Sequence, residues 1–392
     1  MARRSEFYKG RRKKRNYALI PFAVLLAVIA VVVVSFYGMQ KYAVVTKDGV
    51  SVELPIFSDG EEPGTIGSEQ KVFEPVEVQL VFDEADYSGV EQQPIGELRP
   101  LRAIFVPAEN INEEKLIEYE ERINMGNALV LEMKPRTGQL MFNSNTDAAV
   151  KYGLSAAPEI SANVQSGIDR LKESGVYLVA QISCCIDNFY TSRSTTVALK
   201  NAYGSNYTDE NGVWLDPYNR DLRDYIVQLC RELYDMGFDE VVLADVMHPV
   251  LEKEEKEQPV LPEGQTPPPD FVYSREMSTT PSPVNAVCGF ALSIARQLLD
   301  RDGVLSVYIN SPQSLVRADT ANGQDGPLFF KIFDRVYYPT DKYAFSYNVG
   351  DVESSVKEGR IQDRFVPVVI NYLPNDAENL SWVLIDKEVK ED

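Results

Sequence analysis

From about Leu101 to the C-terminal end, short runs dense in Val, Ile and Leu alternate with stretches whose apolar positions recur at helical spacing. Eight such runs predict strands. They are LRAIFV from Leu101, ALVLEM from Ala128, VYLVAQIS from Val176, EVVLADV from Glu240, VLSVYIN from Val304, DRVYYP from Asp334, FVPVVINY from Phe365 and SWVLID from Ser381. Several are continuously apolar rather than alternating, as expected of parallel strands covered on both faces. Helices are predicted over Asn112–Asn124, Ala162–Ser174, Asp221–Met236 and Val284–Asp300. Gly175, Gly237 and Gly303 stand before the next strand, where a left-handed C-cap belongs. Eight β/α repeats point to an α/β fold, a closed (β/α)8 TIM-like barrel over residues 101–392, with a doubly wound open sheet as the alternative. The fourth repeat is interrupted by a long, charged, Pro-rich insertion at 250–283, either a lid over a groove or a segment without a role.

Ahead of the barrel the pattern changes twice. Residues 1–16 form a basic segment, and an uncharged apolar run from about Ala18 to Tyr37 follows. A run of roughly 20 apolar residues spans a hydrocarbon core of about 30 Å, so residues 17–38 are expected to be a transmembrane helix. Arg11 to Arg15 would hold the N-terminus in the cytoplasm and send the rest of the chain outside, in a bacterial cell membrane. A cleaved signal peptide is the competing reading, but no small-residue A-x-A site follows the run. Residues 39–100 are acidic and punctuated by Gly and Pro, with strand-like pieces such as VSVELPIF, and read as a stalk.

Charge narrows the partners. The formal net charge is −20; the first 16 residues contribute +7, so the remainder carries about −27. Such a surface argues against nucleic acid and leaves sugars, proteins and cations open. Cys184, Cys185, Cys230 and Cys288 show no pairing pattern and read as small buried apolar residues. Nucleotide cofactors find no GxGxxG after the first strand and no GxxxxGK[ST]; a single His argues against zinc, and no cofactor or metal is expected.

Barrel chemistry sits at the C-terminal ends of strands, which selects Glu132, Asp187, Asp245 and His248. Carboxylates predominate, and glycoside cleavage needs two. The block GVWLDPYNRDLRDY adds Trp214 and Tyr218, faces of the kind that pack on sugar rings, beside Asp216, which could equally cap a helix or form a turn. His248 has a bland alternative as a loop residue packing on Pro249. Cys184 or Cys185 with His248 is a further, weaker nucleophile pair, and no G-x-S-x-G elbow is present.

The stretch Leu101–Ile385 resembles a bacterial family of (β/α)8 barrels known as putative glycosyl hydrolases, a domain of unknown function often attached to a membrane anchor. The resemblance rests on RAIFVPAENINEEKLIEYEERI, ALVLEMKPRTGQLMFNSN, GIDRLKESGVYLVAQIS and above all GVWLDPYNRDLRDYIVQLCRELYDMGFDEVVLADVMHP. It implies a catalytic carboxylate on the second strand, matched by Glu132, and another on the fourth. There the family's Asp falls on Ala244 and its Arg on Met247, while Asp245 lies one residue later. Neighbouring strand residues face opposite sides, so Asp245 points away from the barrel axis unless the strand has ended or bulges. Two functions follow. One is a membrane-anchored glycosidase of cell-wall or capsular glycan using Glu132 and Asp245, with Asp187, Trp214, Asp216, Tyr218 and His248 binding the sugar. The other is an inactive barrel that binds glycan or acts as a scaffold.

Overall fold

A computed structural model describes residues 43–46, 49–52, 87, 89–123, 127–251, 270–274, 282–341, 344–357, 359–373 and 377–386. The chain divides into two compact units, Met1–Val78 and Gln79–Asp392. In the first, Ala43–Thr46 and Gly49–Val52 pair as an antiparallel hairpin. The apolar run expected to cross a membrane lies outside the described residues, and among the described residues no helix is long and apolar enough to cross one.

The second unit holds all eight predicted strands. They are β1 (Arg102–Val106), β2 (Ala128–Lys134), β3 (Tyr177–Ser183), β4 (Glu240–Ala244), β5 (Val304–Tyr308), β6 (Arg335–Pro339), β7 (Phe365–Ile370) and β8 (Trp382–Ile385). Each pairs in parallel with the next and β8 returns to β1, closing the barrel, so the open-sheet alternative falls. The four predicted helices are α1 (Glu113–Arg122), α2 (Pro158–Glu173), α3 (Arg220–Asp235) and α4 (Pro283–Gln297). Asn112, Asn219 and Ser282 cap α1, α3 and α4 by accepting a backbone N–H of the first turn, while α2 starts on Pro158, earlier than its apolar pattern suggested. Gly175 and Gly237 adopt positive φ after α2 and α3, as expected of C-caps. Gly303 does not. Its place is sterically reserved, since a Cβ there would lie 2.4 Å from the Tyr234 ring.

Alternation along each strand builds two apolar layers. Leu129, Leu131, Leu178, Ile182, Val241 and Leu243 face outward under the helices, while Ala103, Val130, Val179, Val242, Val366 and Val383 fill the barrel. At the N-terminal end of the barrel the filling turns ionic. Glu240 is fully buried, and its carboxylate accepts hydrogen bonds from Ser306 Oγ at 2.6 Å, Tyr337 OH at 2.7 Å and Tyr177 OH at 3.1 Å, and pairs with Arg335. Arg335 also donates to the carbonyls of Asp363 and Arg99, both at 2.8 Å.

The end of the stretch read as a stalk lies against the barrel unit. Gln93 N–H donates to Lys331 O at 2.8 Å and Tyr87 OH to Asn285 O at 3.4 Å. Of the 250–283 insertion, Phe271–Val272 pairs with Lys200–Asn201 in a two-stranded antiparallel sheet. All four cysteines are buried free thiols. Cys184 and Cys185 both reach the apolar layer because they follow the last residue of β3, where strand alternation no longer applies.

Candidate active site at the barrel mouth

A cavity of about 470 Å³ opens at the C-terminal ends of the strands, lined by Glu132, Lys134, Arg136, Thr137, Gln181, Ser183, Ala244, Asp245 and Asn310, by Tyr308 and Tyr337, and by apolar side chains. Glu132 reaches it by parity: Val130, Glu132 and, beyond a register shift, Lys134 take inward positions on β2. One Glu132 oxygen accepts the Ala108 N–H at 3.1 Å. Burial raises its pKa above the ordinary glutamate value against that hydrogen bond; the charges of Glu109 and Asp245 add to the rise and Arg136 opposes it.

Asp245 arrives differently. Strand β4 ends at Ala244, which holds the inward position, and Asp245 then adopts φ +54°, in the left-handed region that costs a non-glycine residue about 1–2 kcal/mol. That turn brings its carboxylate into the mouth beside Ala244, so the condition under which the sequence places Asp245 inside is met by a strand end. The carboxylate is gripped. Arg136 donates from Nε at 3.1 and 3.0 Å and from Nη2 at 2.6 Å, and Ser183 Oγ donates at 2.8 Å. Arg136 is itself oriented by Asn211 Oδ1 at 3.0 Å from Nη1.

The other five predicted site residues are not part of the lining of this cavity. Asp187 is fully buried, capping the helix Asn188–Arg193 through Tyr190 N–H at 2.7 Å and pairing with buried Lys134 at 2.8 Å. Trp214 is buried in the apolar layer under the helices, because the loop after β3 folds back and bridges Ile186 to Trp214. Asp216 is fully buried and organises a turn rather than a helix cap: Tyr218 N–H donates to it at 2.8 Å and Ser274 N–H at 2.5 Å, and burial raises its pKa. Tyr218 lies in a separate depression with Arg223 and Asp224, its ring edge-on to Tyr273. His248 is buried, hydrogen-bonded through Nδ1 to Pro249 O and through Nε2 to Tyr273 OH, and burial lowers its pKa to about 4. The last three residues thus form the seat on which Phe271–Ser274 docks.

Sequence reasoning passed over Lys134, Arg136 and Ser183. Parity with Glu132 marks Lys134, and parity with Gln181 marks Ser183; nothing in the pattern selects Arg136 beyond its place in the turn after β2. That turn is held by Gly138 at φ +92°, where an added Cβ would sit 1.7 Å from Asp187 Oδ1. Gly138→Ala therefore has to displace the Asp187 carboxylate, which accepts Tyr190 N–H through that oxygen and pairs with buried Lys134 through the other, and is expected to lower the unfolding free energy by about 3 kcal/mol, read from the denaturant midpoint at constant slope.

Paired carboxyl groups in the mouth of a parallel eight-stranded barrel define the architecture on which many glycoside hydrolases are built. The model of one family, described as "Putative glycosyl hydrolase domain", matches residues 103–349, and the chain belongs to that family. No curated protein matches in sequence. Among solved structures, the glycoside hydrolase domain of PgaB (BpsB) from Bordetella bronchiseptica is 12% identical, with a TM-score of 0.47 and coverage of 73% of this chain and 94% of that one. A hypothetical protein from Ruminiclostridium thermocellum is 21% identical over 52% of this chain and 96% of its own, with a TM-score of 0.40. Ega3 from Aspergillus fumigatus, in complex with galactosamine, is 10% identical over 77% and 96%, also with a TM-score of 0.40.

Proposed function

We propose that this is a membrane-anchored glycoside hydrolase acting on cell-envelope glycan outside the cytoplasm. The observation that carries the reading is the presence of Glu132 and Asp245 in one cavity at the barrel mouth. Glu132, with its raised pKa, is suited to protonate the leaving glycosidic oxygen, and Asp245 is the carboxylate that faces the positive charge developing on the sugar. The basic segment before the apolar run Ala18–Tyr37 supports the anchor and its direction.

A second reading has its own support. Both oxygens of Asp245 are occupied by Arg136 and Ser183, which favours a barrel that binds glycan without cleaving it. The experiment is release of reducing ends from purified wall and capsular glycans, with binding measured in parallel, for the wild-type chain and for Glu132→Gln and Asp245→Asn. Turnover lost in both variants with binding kept supports the enzyme. Binding without turnover in all three chains sinks hydrolysis and leaves the binding module.

A further inference from the structure

The mouth is divided by chemistry. Its charged and hydrogen-bonding side chains come mostly from the ends of β2, β3 and β4, where Glu132, Arg136, Ser183 and Asp245 cluster. The opposite wall, from β7, β8 and β1, contributes Val368, Val383, Ile385 and Phe105, and among the described residues no charged side chain of these strands lines the cavity. Strand register explains the continuity of that wall: Val368 pairs with Val383 and Ile370 with Ile385, which sets two aliphatic pairs one above the other on the inward parity. The wall does not end inside the cavity. Ile370, the last residue of β7 and two positions beyond Val368, is 50% exposed.

Phe105 can take the C–H face of a sugar ring, but the aliphatic remainder of the wall offers a hydroxyl no partner, so hydroxyls turned toward it would lose water without compensation. Each methylene laid on it, by contrast, gains roughly fourfold in affinity. The geometry points to a substrate that is itself two-faced: a sugar whose scissile bond lies against Glu132 and Asp245 and which carries an apolar substituent, an alkyl aglycone or an acyl group, against the β7–β8 wall. The assignment rests on the glycoside reading and adds the substrate class and the residues that select it.

The test uses the full-length chain in lipid nanodiscs, with empty discs subtracted, and pairs of methyl and butyl β-glycosides of glucose, galactose and N-acetylglucosamine. Binding is followed by ligand-observed NMR. In at least one pair the butyl glycoside is expected to bind about tenfold or more tightly than the methyl glycoside. Ile370→Ser and Ile385→Ser should each erase much of that increment, and Ile370→Ser, at an exposed position, should also leave the thermal unfolding midpoint near that of the wild type. Equal binding within every pair, no binding of any butyl glycoside, or an increment that survives both substitutions overturns the inference. Hydrolysis is judged separately: turnover of an unsubstituted glycan by the wild-type chain that Glu132→Gln loses keeps the enzyme reading even if the wall proves irrelevant.

Discussion

Arg335→Met is expected to destabilise the barrel by about 3–5 kcal/mol, because it leaves the Glu240 carboxylate buried without its counter-charge. Three hydroxyl donors remain on Glu240, from Ser306, Tyr337 and Tyr177. Hydrogen bonds from neutral groups offset only part of the cost of a buried charge. The substitution also leaves the carbonyls of Asp363 and Arg99 without their donor, a second source of loss that a charge-only account omits. The measurement is denaturant unfolding with the slope held constant. Adding Glu240→Leu to Arg335→Met removes the uncompensated charge and should recover part of the loss, though not all, since the three hydroxyls then lose their acceptor. A loss below about 1 kcal/mol for the single variant would mean that water reaches Glu240 and that the pair is not an isolated ionic core.

Glu132→Gln is expected to lower kcat by about 10²–10⁴-fold while leaving glycan binding within a few-fold of wild type, the range typical of a lost general acid. The pH profile gives the sharper test. A general acid works in its protonated form, so activity is present below its pKa and lost as pH rises through it. Burial, Glu109 and Asp245 all push that pKa up, which moves the alkaline limb above the ordinary glutamate range. Glu109→Gln removes one of those negative charges without touching the cavity lining, and should move the limb to lower pH. An unmoved limb in Glu109→Gln, or a wild-type limb that survives in Glu132→Gln, would assign the titration to another group.

Fold and site differ in how far residues alone reveal them. All eight strands are legible because their apolar runs are short, mostly buried on both faces and separated by longer stretches of helical periodicity, so that length and spacing mark runs such as ALVLEM and EVVLADV as strands. The helices are legible through apolar periodicity and caps, with Gly303 the exception, where the constraint is the Tyr234 ring and not a backbone angle. Glu132 follows from parity on a strand whose register holds up to that residue. The place of Asp245 turns on one dihedral angle after the strand ends, and no periodicity encodes where a strand ends to within one residue. Asp187, Trp214 and Asp216 share a different difficulty. They are chemically suited to a sugar site, but the loop between β3 and α3 doubles back, so its carboxylates accept backbone N–H groups, of Tyr190 in the loop itself and of Ser274 in the insertion, and its large ring fills the layer beneath the helices. Residue type says what a side chain can do, and only the path of the loop says what it faces.

The four buried thiols carry a practical consequence. Burial pushes Cys185 and Cys230 up to about 12 and Cys184 and Cys288 upward as well, and only the thiolate reacts with an alkylating reagent. The native barrel is therefore chemically silent, and any labelling reports a fluctuation that exposes the sulfur. Cys184 and Cys185 stand at the mouth, Cys230 on α3 and Cys288 on α4. Chains retaining one cysteine at a time turn labelling rates into a map of local opening free energies, placing clocks in three separate regions of the barrel without any introduced probe.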